Sequence, residues 1–260
     1  MYFAHYMEMH EFFMRELRLM HAPVGIRFFF DEAGLESFRR AYEYYAPAKP
    51  LTFCQAELGA RMEGLTIVLD MDKLWCQGAR FVFGLRDMEE ADLRLHRKFC
   101  TDDVQARRVL ESKPRLNGKK LLAVALSPLS AGAGQPDVVH FCCDNMQAYH
   151  ILNDWMAVRN VHPLRPVLCV NSAICGGSVL SFVEAQANLT LACAGSYNSG
   201  KMERGEINVM VPGAHIREVA ERMAARVEEK GGISLTRDGQ PFPGADICQN
   251  CPLIVFRKAE

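Results

Sequence analysis

The stretch Val138-Val-His-Phe-Cys-Cys-Asp-Asn-Met-Gln-Ala-Tyr-His-Ile-Leu-Asn-Asp-Trp-Met156 decides the fold. Its first five residues form a short apolar run with β-branched and aromatic members, which predicts a buried strand. Asp144 or Asn145 can then cap a helix, because a short side-chain oxygen accepts from the free N–H groups of a first turn. Ala148, Ile151, Leu152, Trp155 and Met156 follow at helical spacing, so the helix is amphipathic. A strand feeding a capped helix is the unit of a mixed α/β chain.

Working toward the C-terminus, Val167-Leu-Cys-Val170 predicts a strand running into a Gly/Ser-rich loop, Cys175-Gly-Gly-Ser178. Leu189–Cys193 and Ile207–Val211 predict further strands, and Ser196–Lys201 a loop. A helix with the stripe Ile216, Val219, Ala220, Met223 and Val227 ends at Gly231-Gly232, and Arg237-Asp-Gly-Gln suggests a hairpin turn. Working toward the N-terminus, Leu121–Leu126 is a strand, preceded by two charged helices, Glu89–Phe99 and Thr101–Glu111. Cys76 opens a loop that turns into a short helix, and Thr66–Asp70 is a strand. Thr52 caps a helix with Cys54, Leu58 and Arg61 along one stripe and a stop at Gly64. A helix over Leu35–Tyr45, a strand over Val24–Phe30 and a helix with the stripe Tyr6, Met9, Phe13, Leu17 and Met20 complete the reading. The expectation is a mixed α/β (α+β) protein. One large domain over residues 1–230 has a mixed sheet and flanking helices, and a short Cys-containing hairpin appendage covers 231–260.

Composition narrows the function. The 260 residues are 49% apolar and 23% charged with a net charge of −1, which excludes disordered and fibrous classes. Near-zero charge also argues against a nucleic-acid partner, since neutralising phosphates needs surplus Lys and Arg. The N-terminus shows no basic segment followed by an apolar one. The longest uncharged stretches, around Pro166–Gly200, carry too many Ser and Asn residues for a lipid-spanning helix. The expectation is therefore a cytoplasmic protein without a membrane partner.

Sulfur is the conspicuous feature: 10 Cys and 13 Met. In a reducing compartment, that many cysteines points away from a disulfide framework and toward buried thiols, metal or cluster ligands, or redox pairs. Cys54 falls at a helix start and Cys76 precedes Gly78-Ala79 at a loop-to-helix transition. Cys175 precedes Gly176-Gly177, and Cys193 precedes Gly195. Helix starts and glycine-flanked backbone aim N–H groups at an anion, and thiolates and cluster sulfides are stabilised by such donors. Cys54, Cys76, Cys175 and Cys193 are therefore the candidate ligands of a metal centre, with an iron–sulfur cluster favoured over zinc.

Cys248-Gln-Asn-Cys251 is the one C-x-x-C pair and provides half of a second site. It also fits a thiol-redox or sulfur-handling enzyme. Cys142 and Cys143 alternate across a strand and cannot readily ligate one ion together, so both are assigned to the core with Cys100; Cys169 is assigned to a buried strand. A haem held by one His or Cys, or a non-catalytic binding module with structural Cys or zinc, stays open. No H-E-x-x-H, G-x-x-x-x-G-K-[ST], G-x-S-x-G or G-x-G-x-x-G motif is present. His140 and His150 are expected to be satisfied structural residues, His96 and His215 to sit on surface helices, and Arg61, Arg80 and Lys201 to be solvated cations.

Several of these segments form an ordered pattern: Pro23-Val-Gly-Ile-Arg-Phe28, then Cys54-Gln55 with Ala60-Arg61 and Gly64, then Cys76-x-Gly-Ala79 with Gly84-Leu85. Pro136-Asp-Val-Val139, Gln147-Ala148, Cys193-x-Gly195 and Pro212-Gly213 continue it. Over roughly Pro23 to Met223 the chain resembles the bacterial and archaeal family called domain of unknown function 169. The resemblance brings no settled activity. It implies that Cys54, Cys76 and Cys193 matter and that the protein occurs in anaerobic prokaryotes. Where the family pattern carries an Arg after the third cysteine, this chain has Ser196-Tyr197. A Cys-ligated cofactor would serve electron transfer, cluster-based catalysis or metalloprotein maturation. The implied partners are a redox or metalloprotein partner and a second copy of the chain.

Overall fold

A computed structural model describes residues 2–118, 120–169, 171–230 and 233. In chain order the elements are α1 (Tyr6–Glu16), β1 (Val24–Phe29), α2 (Glu32–Ala41), α3 (Phe53–Glu63), β2 (Ile67–Asp70), α4 (Gln77–Val82), α5 (Glu90–His96) and α6 (Asp103–Glu111). They continue with β3 (Ala123–Pro128), β4 (Val138–Cys143), α7 (Asn145–Arg159), α8 (Ala173–Glu184), β5 (Asn188–Leu191), α9 (Ala194–Asn198), β6 (Ile207–Pro212) and α10 (Ile216–Lys230). The chain is mixed α/β, as its sequence predicts. The six strands form one sheet in the order β2-β3-β1-β4-β6-β5, and every strand pairing is antiparallel. The sheet is thus antiparallel rather than the mixed one expected, and among the described residues parallel pairing is confined to two isolated bridges, Tyr45 to Ile67 and Leu51 to Leu74.

Strand alternation sorts the core into two layers. Val24, Ile26, Phe28, Leu69, Val124, Leu126, Val138 and Met210 face α3, α4 and α8. Val139, Phe141, Cys143, Val209 and Val211 face the opposite way and pack with α1, α7 and α10. At the other end of that second face, Phe29, Val68, Ala123 and Ala125 take the Leu35 and Phe38 side chains of α2. Each fully buried Phe or Leu contributes about 1.5–3 kcal/mol of burial.

Helix α3 forms as its sequence dictates. Thr52 Oγ1 accepts from the Gln55 N–H at 3.1 Å, Gln55 Oε1 accepts from the Thr52 N–H at 2.9 Å, and Gly64 closes the helix at φ 70°. Such a cap is worth about 1 kcal/mol and sets Cys54 as the second helical residue. On the opposite face of the sheet, α7 is capped in the same way by Asp144 and Gln147.

Four local expectations are corrected. The first helix ends at Glu16, and Met20 lies 82% exposed outside it rather than on its apolar stripe. The chain turns there because Arg18 adopts φ 49° and the Gln147 amide donates to the Leu17 and Arg18 carbonyls. Residues 167–169 form no strand; the Asn188 side chain donates to and accepts from the Val167 backbone at 3.2 and 2.8 Å, taking the place of a neighbouring strand. The Cys175-Gly-Gly-Ser178 segment is not a loop but the first half of α8. Part of Ser196–Lys201, finally, belongs to the short helix α9.

The C-terminal hairpin at Arg237 and the Cys248/Cys251 pair lie outside the described residues. No helix among the described residues is long and apolar enough to cross a membrane.

Candidate metal centre

The four dispersed cysteines come together. Cys54, Cys76, Cys175 and Cys193 line one cavity of about 410 Å³ on the α3/α4/α8 face of the sheet. All four occupy the same kind of position, in the first turn or at the cap of a helix. Cys54 is the second residue of α3 and Cys175 the third of α8; Cys76 caps α4 and Cys193 caps α9. The leading N–H groups of a helix have no intrahelical acceptor and carry partial positive charge, so four helix starts converge where sulfur sits.

Glycines permit this convergence. A Cβ at Gly78 would lie 2.8 Å from the Asn171 carbonyl oxygen, so only glycine lets α4 approach the entry of α8. Within α8, a Cβ at Gly177 would stand 2.8 Å from Met210 Cε and one at Gly176 3.1 Å from Cys169 Sγ. The Gly-Gly pair therefore serves close helix–sheet packing, which outweighs its cost of about 1 kcal/mol per glycine in a helix. At Gly195, the position a methyl group would occupy is 3.6 Å from both Cys54 Sγ and Cys193 Sγ.

Cys54 and Cys175 are buried, while Cys76 and Cys193 are half-buried. Burial pushes the Cys54 thiol well above its ordinary range, and the neighbouring sulfurs of Cys175, Cys193 and Cys76 push it the same way. Burial does the same to Cys175, with Cys76 and Cys193 adding and the Lys113 charge opposing. Burial raises Cys169 to about 11, again with Lys113 opposing. Ser196 Oγ donates to Cys193 Sγ at 3.7 Å.

Lys113, which sequence reasoning missed, is 8% exposed, lines the cavity and donates to Ser172 Oγ at 3.2 Å. Burial lowers its ammonium pKa, and the sulfurs of Cys175 and Cys169 oppose that shift. Nothing in the local Ser112-Lys113-Pro114 sequence marks it as different from a surface lysine. Asp92 also lines the cavity, but its two oxygens accept from Arg86 at 2.7 and 2.5 Å.

Beneath the cavity runs a buried polar chain. Arg61 Nε donates to Glu57 Oε1 at 3.0 Å, His140 Nδ1 lies 3.1 Å from the same oxygen, and His140 Nε2 lies 3.0 Å from Asn208 Oδ1. The side chains of Arg61, Glu57 and His140 are all 0% exposed. Arg61 also donates to the Gly200 carbonyl, just beyond α9. Burial alone would raise the Glu57 carboxyl; the hydrogen bond and charge of His140, with those of Arg61, outweigh it and hold the group below its usual value.

Several site expectations change accordingly. His140 is a satisfied structural histidine, as expected. Arg61 is a core residue rather than a solvated cation, because Glu57 one helical turn before it and Gly200 supply acceptors. Arg80 is half-buried and donates to the Met71 and Leu74 carbonyls, whereas Lys201 is exposed. His96 is buried at 2% exposure, not on the surface, with Nδ1 against the Asp92 carbonyl at 2.8 Å. Cys142 and Cys143 point to opposite sides of β4, and Cys100 is half-buried beside Leu93, Ala106 and Leu110. Cys169 is buried without being in a strand.

Fold and site together define a mixed α/β protein whose antiparallel sheet carries a four-thiol pocket under one helical layer. The chain belongs to the family of domain of unknown function 169, described as an uncharacterised ArCR, whose model matches residues 13–222. Neither the curated proteins nor the solved structures contain a match to it.

Proposed function

We propose that Cys54, Cys76, Cys175 and Cys193 hold an iron–sulfur cluster, which the chain uses in electron transfer, cluster-based catalysis or the maturation of another metalloprotein. The observation that carries this reading is the gathering of four sulfurs, distant in sequence, at four helix starts around one cavity.

Spacing favours a cluster over a single ion. Tetrahedral zinc with bonds of about 2.3 Å draws its sulfurs to about 3.8 Å from one another. Among the described residues, no three of these four sulfurs lie mutually within 4.8 Å. A cluster places its own iron and sulfide between its ligands and so suits the wider arrangement. Its net negative charge is matched by the helix starts and by the Lys113 ammonium, the kind of surroundings that tune cluster potential. When bound, the cluster would supply one-electron chemistry or a Lewis-acidic iron. The cavity of about 410 Å³ falls within the range of small-molecule sites, and its rim bears the exposed Trp75 and Leu95, so a substrate or partner group has access.

Anaerobic purification followed by iron and acid-labile sulfide analysis and a visible spectrum tests the proposal. A brown protein with iron and sulfide in equal amounts supports it. A colourless, iron-free chain after anaerobic reconstitution rejects it.

A further inference from the structure

A second set of ligand-type side chains lies outside the four-thiol pocket. His21 Nε2 and Glu206 Oε1 are 3.0 Å apart, and with Cys142 Sγ they form a trio whose atoms all lie within 4.8 Å of one another. None of the three lines the four-thiol cavity.

The fold holds each donor from a different element. His21 follows the turn that Arg18 makes with φ 49°, a turn fixed by Gln147 donating to the Leu17 and Arg18 carbonyls at 2.9 and 3.1 Å. Cys142 is on β4, directly opposite Asn208 on β6. Glu206 immediately precedes β6, and its Oε2 accepts from the Glu203 N–H at 2.6 Å, which leaves Oε1 turned to His21. Such outer contacts fix the orientation of ligating side chains. Cys142 is 3% exposed, whereas the His21 and Glu206 side chains are 14% and 12% exposed, so the trio is buried on the sulfur side and reaches solvent only at the edges of its other two donors.

We propose that His21 Nε2, Cys142 Sγ and the Glu206 carboxylate form a mononuclear site for a divalent cation of the zinc type, with one coordination position left to solvent. One nitrogen, one sulfur and one oxygen donor suit a borderline ion better than a hard one such as Mg²⁺ or Ca²⁺. Three protein ligands and an open position are the arrangement of a reactive rather than a closed structural zinc site. The ion would also tie the α1–β1 connection to the start of β6.

Cobalt(II) is the probe, added to the anaerobically isolated full-length chain. The expected result is one equivalent with a one-thiolate charge-transfer band and four-coordinate absorption, displaced by Zn²⁺. His21→Gln and Glu206→Gln, both at partly open positions, should each weaken this equivalent by about tenfold or more. Cys142→Ser should abolish its thiolate band. Cys54→Ser should leave it unchanged while altering the four-thiol pocket, so the two sites fail separately. Far-UV circular dichroism of His21→Gln and Glu206→Gln identifies folded variants. Cobalt affinity unchanged within about twofold in both folded variants overturns the site, as does absence of any one-thiolate band in the wild-type chain.

Discussion

His140 Nδ1 on the central strand β4 lies 3.1 Å from Glu57 Oε1 on α3, and both side chains are closed to water. The same carboxylate takes Arg61 Nε, and Arg61 reaches the Gly200 carbonyl beyond α9. Glu57 thus ties the helix carrying Cys54 to β4, and Arg61 ties the same helix to the segment just beyond α9.

Removing the Glu57 charge should therefore be costly. Breaking a buried ion pair by deleting one partner typically costs about 3–5 kcal/mol, because the remaining charges stay buried and unpaired. Glu57→Gln should destabilise by that order in urea denaturation. A loss under about 1 kcal/mol would show that the chain Arg61–Glu57–His140 is not a structural brace.

The same group sets an acid limb. The folded-state Glu57 carboxyl is held below its ordinary value, so its contribution is fully present above the unfolded value of about 4.3 and drains as pH falls through the folded value. Stability measured against pH should fall in the acid range, and Glu57→Gln should flatten part of that fall. An identical acid limb in the variant contradicts the assignment.

Much of this site was legible in the sequence. Thr52, Gln55 and Gly64 announce both ends of α3, and that alone places Cys54 at a helix start. Cys76 ahead of Gly78 was equally readable as a loop entering a helix. The Gly176-Gly177 pair was misleading: glycine ordinarily punctuates loops, and only the closeness of Met210 and Cys169 reveals it as helix packing. Lys113 carries no local mark of burial, because its acceptor Ser172 is distant in sequence, and the local Glu57–Arg61 pair reads as an ordinary surface pair until the distant Gly200 carbonyl and His140 enclose it. Val167 likewise gained a partner in the Asn188 side chain that no strand pattern foretells.

Gly195→Ala separates occupancy from folding. Its methyl would meet Cys54 Sγ and Cys193 Sγ at 3.6 Å, an ordinary van der Waals contact, so the thermal midpoint should change little. Iron retained per chain should drop several-fold, because the methyl fills space between two of the proposed ligands. Full iron retention would mean that the cluster does not lie between these sulfurs.

Loading should release protons. Burial holds the Cys54 and Cys175 thiols protonated well above neutral pH, yet a metal takes the thiolate. Reconstitution in weakly buffered solution should acidify the medium, and the apparent iron affinity should rise with pH. A pH-independent affinity would exclude these two thiols as ligands.

Lys113→Gln removes a cation beside the pocket without deleting a thiol. Loss of nearby positive charge favours the oxidised, less negative cluster, so the midpoint potential should move to more negative values. An unchanged potential would place the cluster away from Lys113.

Iron-edge X-ray absorption of the anaerobically isolated chain tests the four-thiol assignment most directly, with Cys54→Ser, Cys76→Ser, Cys175→Ser and Cys193→Ser compared against Cys143→Ala on the far face of the sheet. The expected result is iron bound by sulfur with a second iron nearby, lost or altered in each serine variant and kept in Cys143→Ala. Iron in a purely nitrogen and oxygen environment, or a signal indifferent to all four serine substitutions, would contradict it.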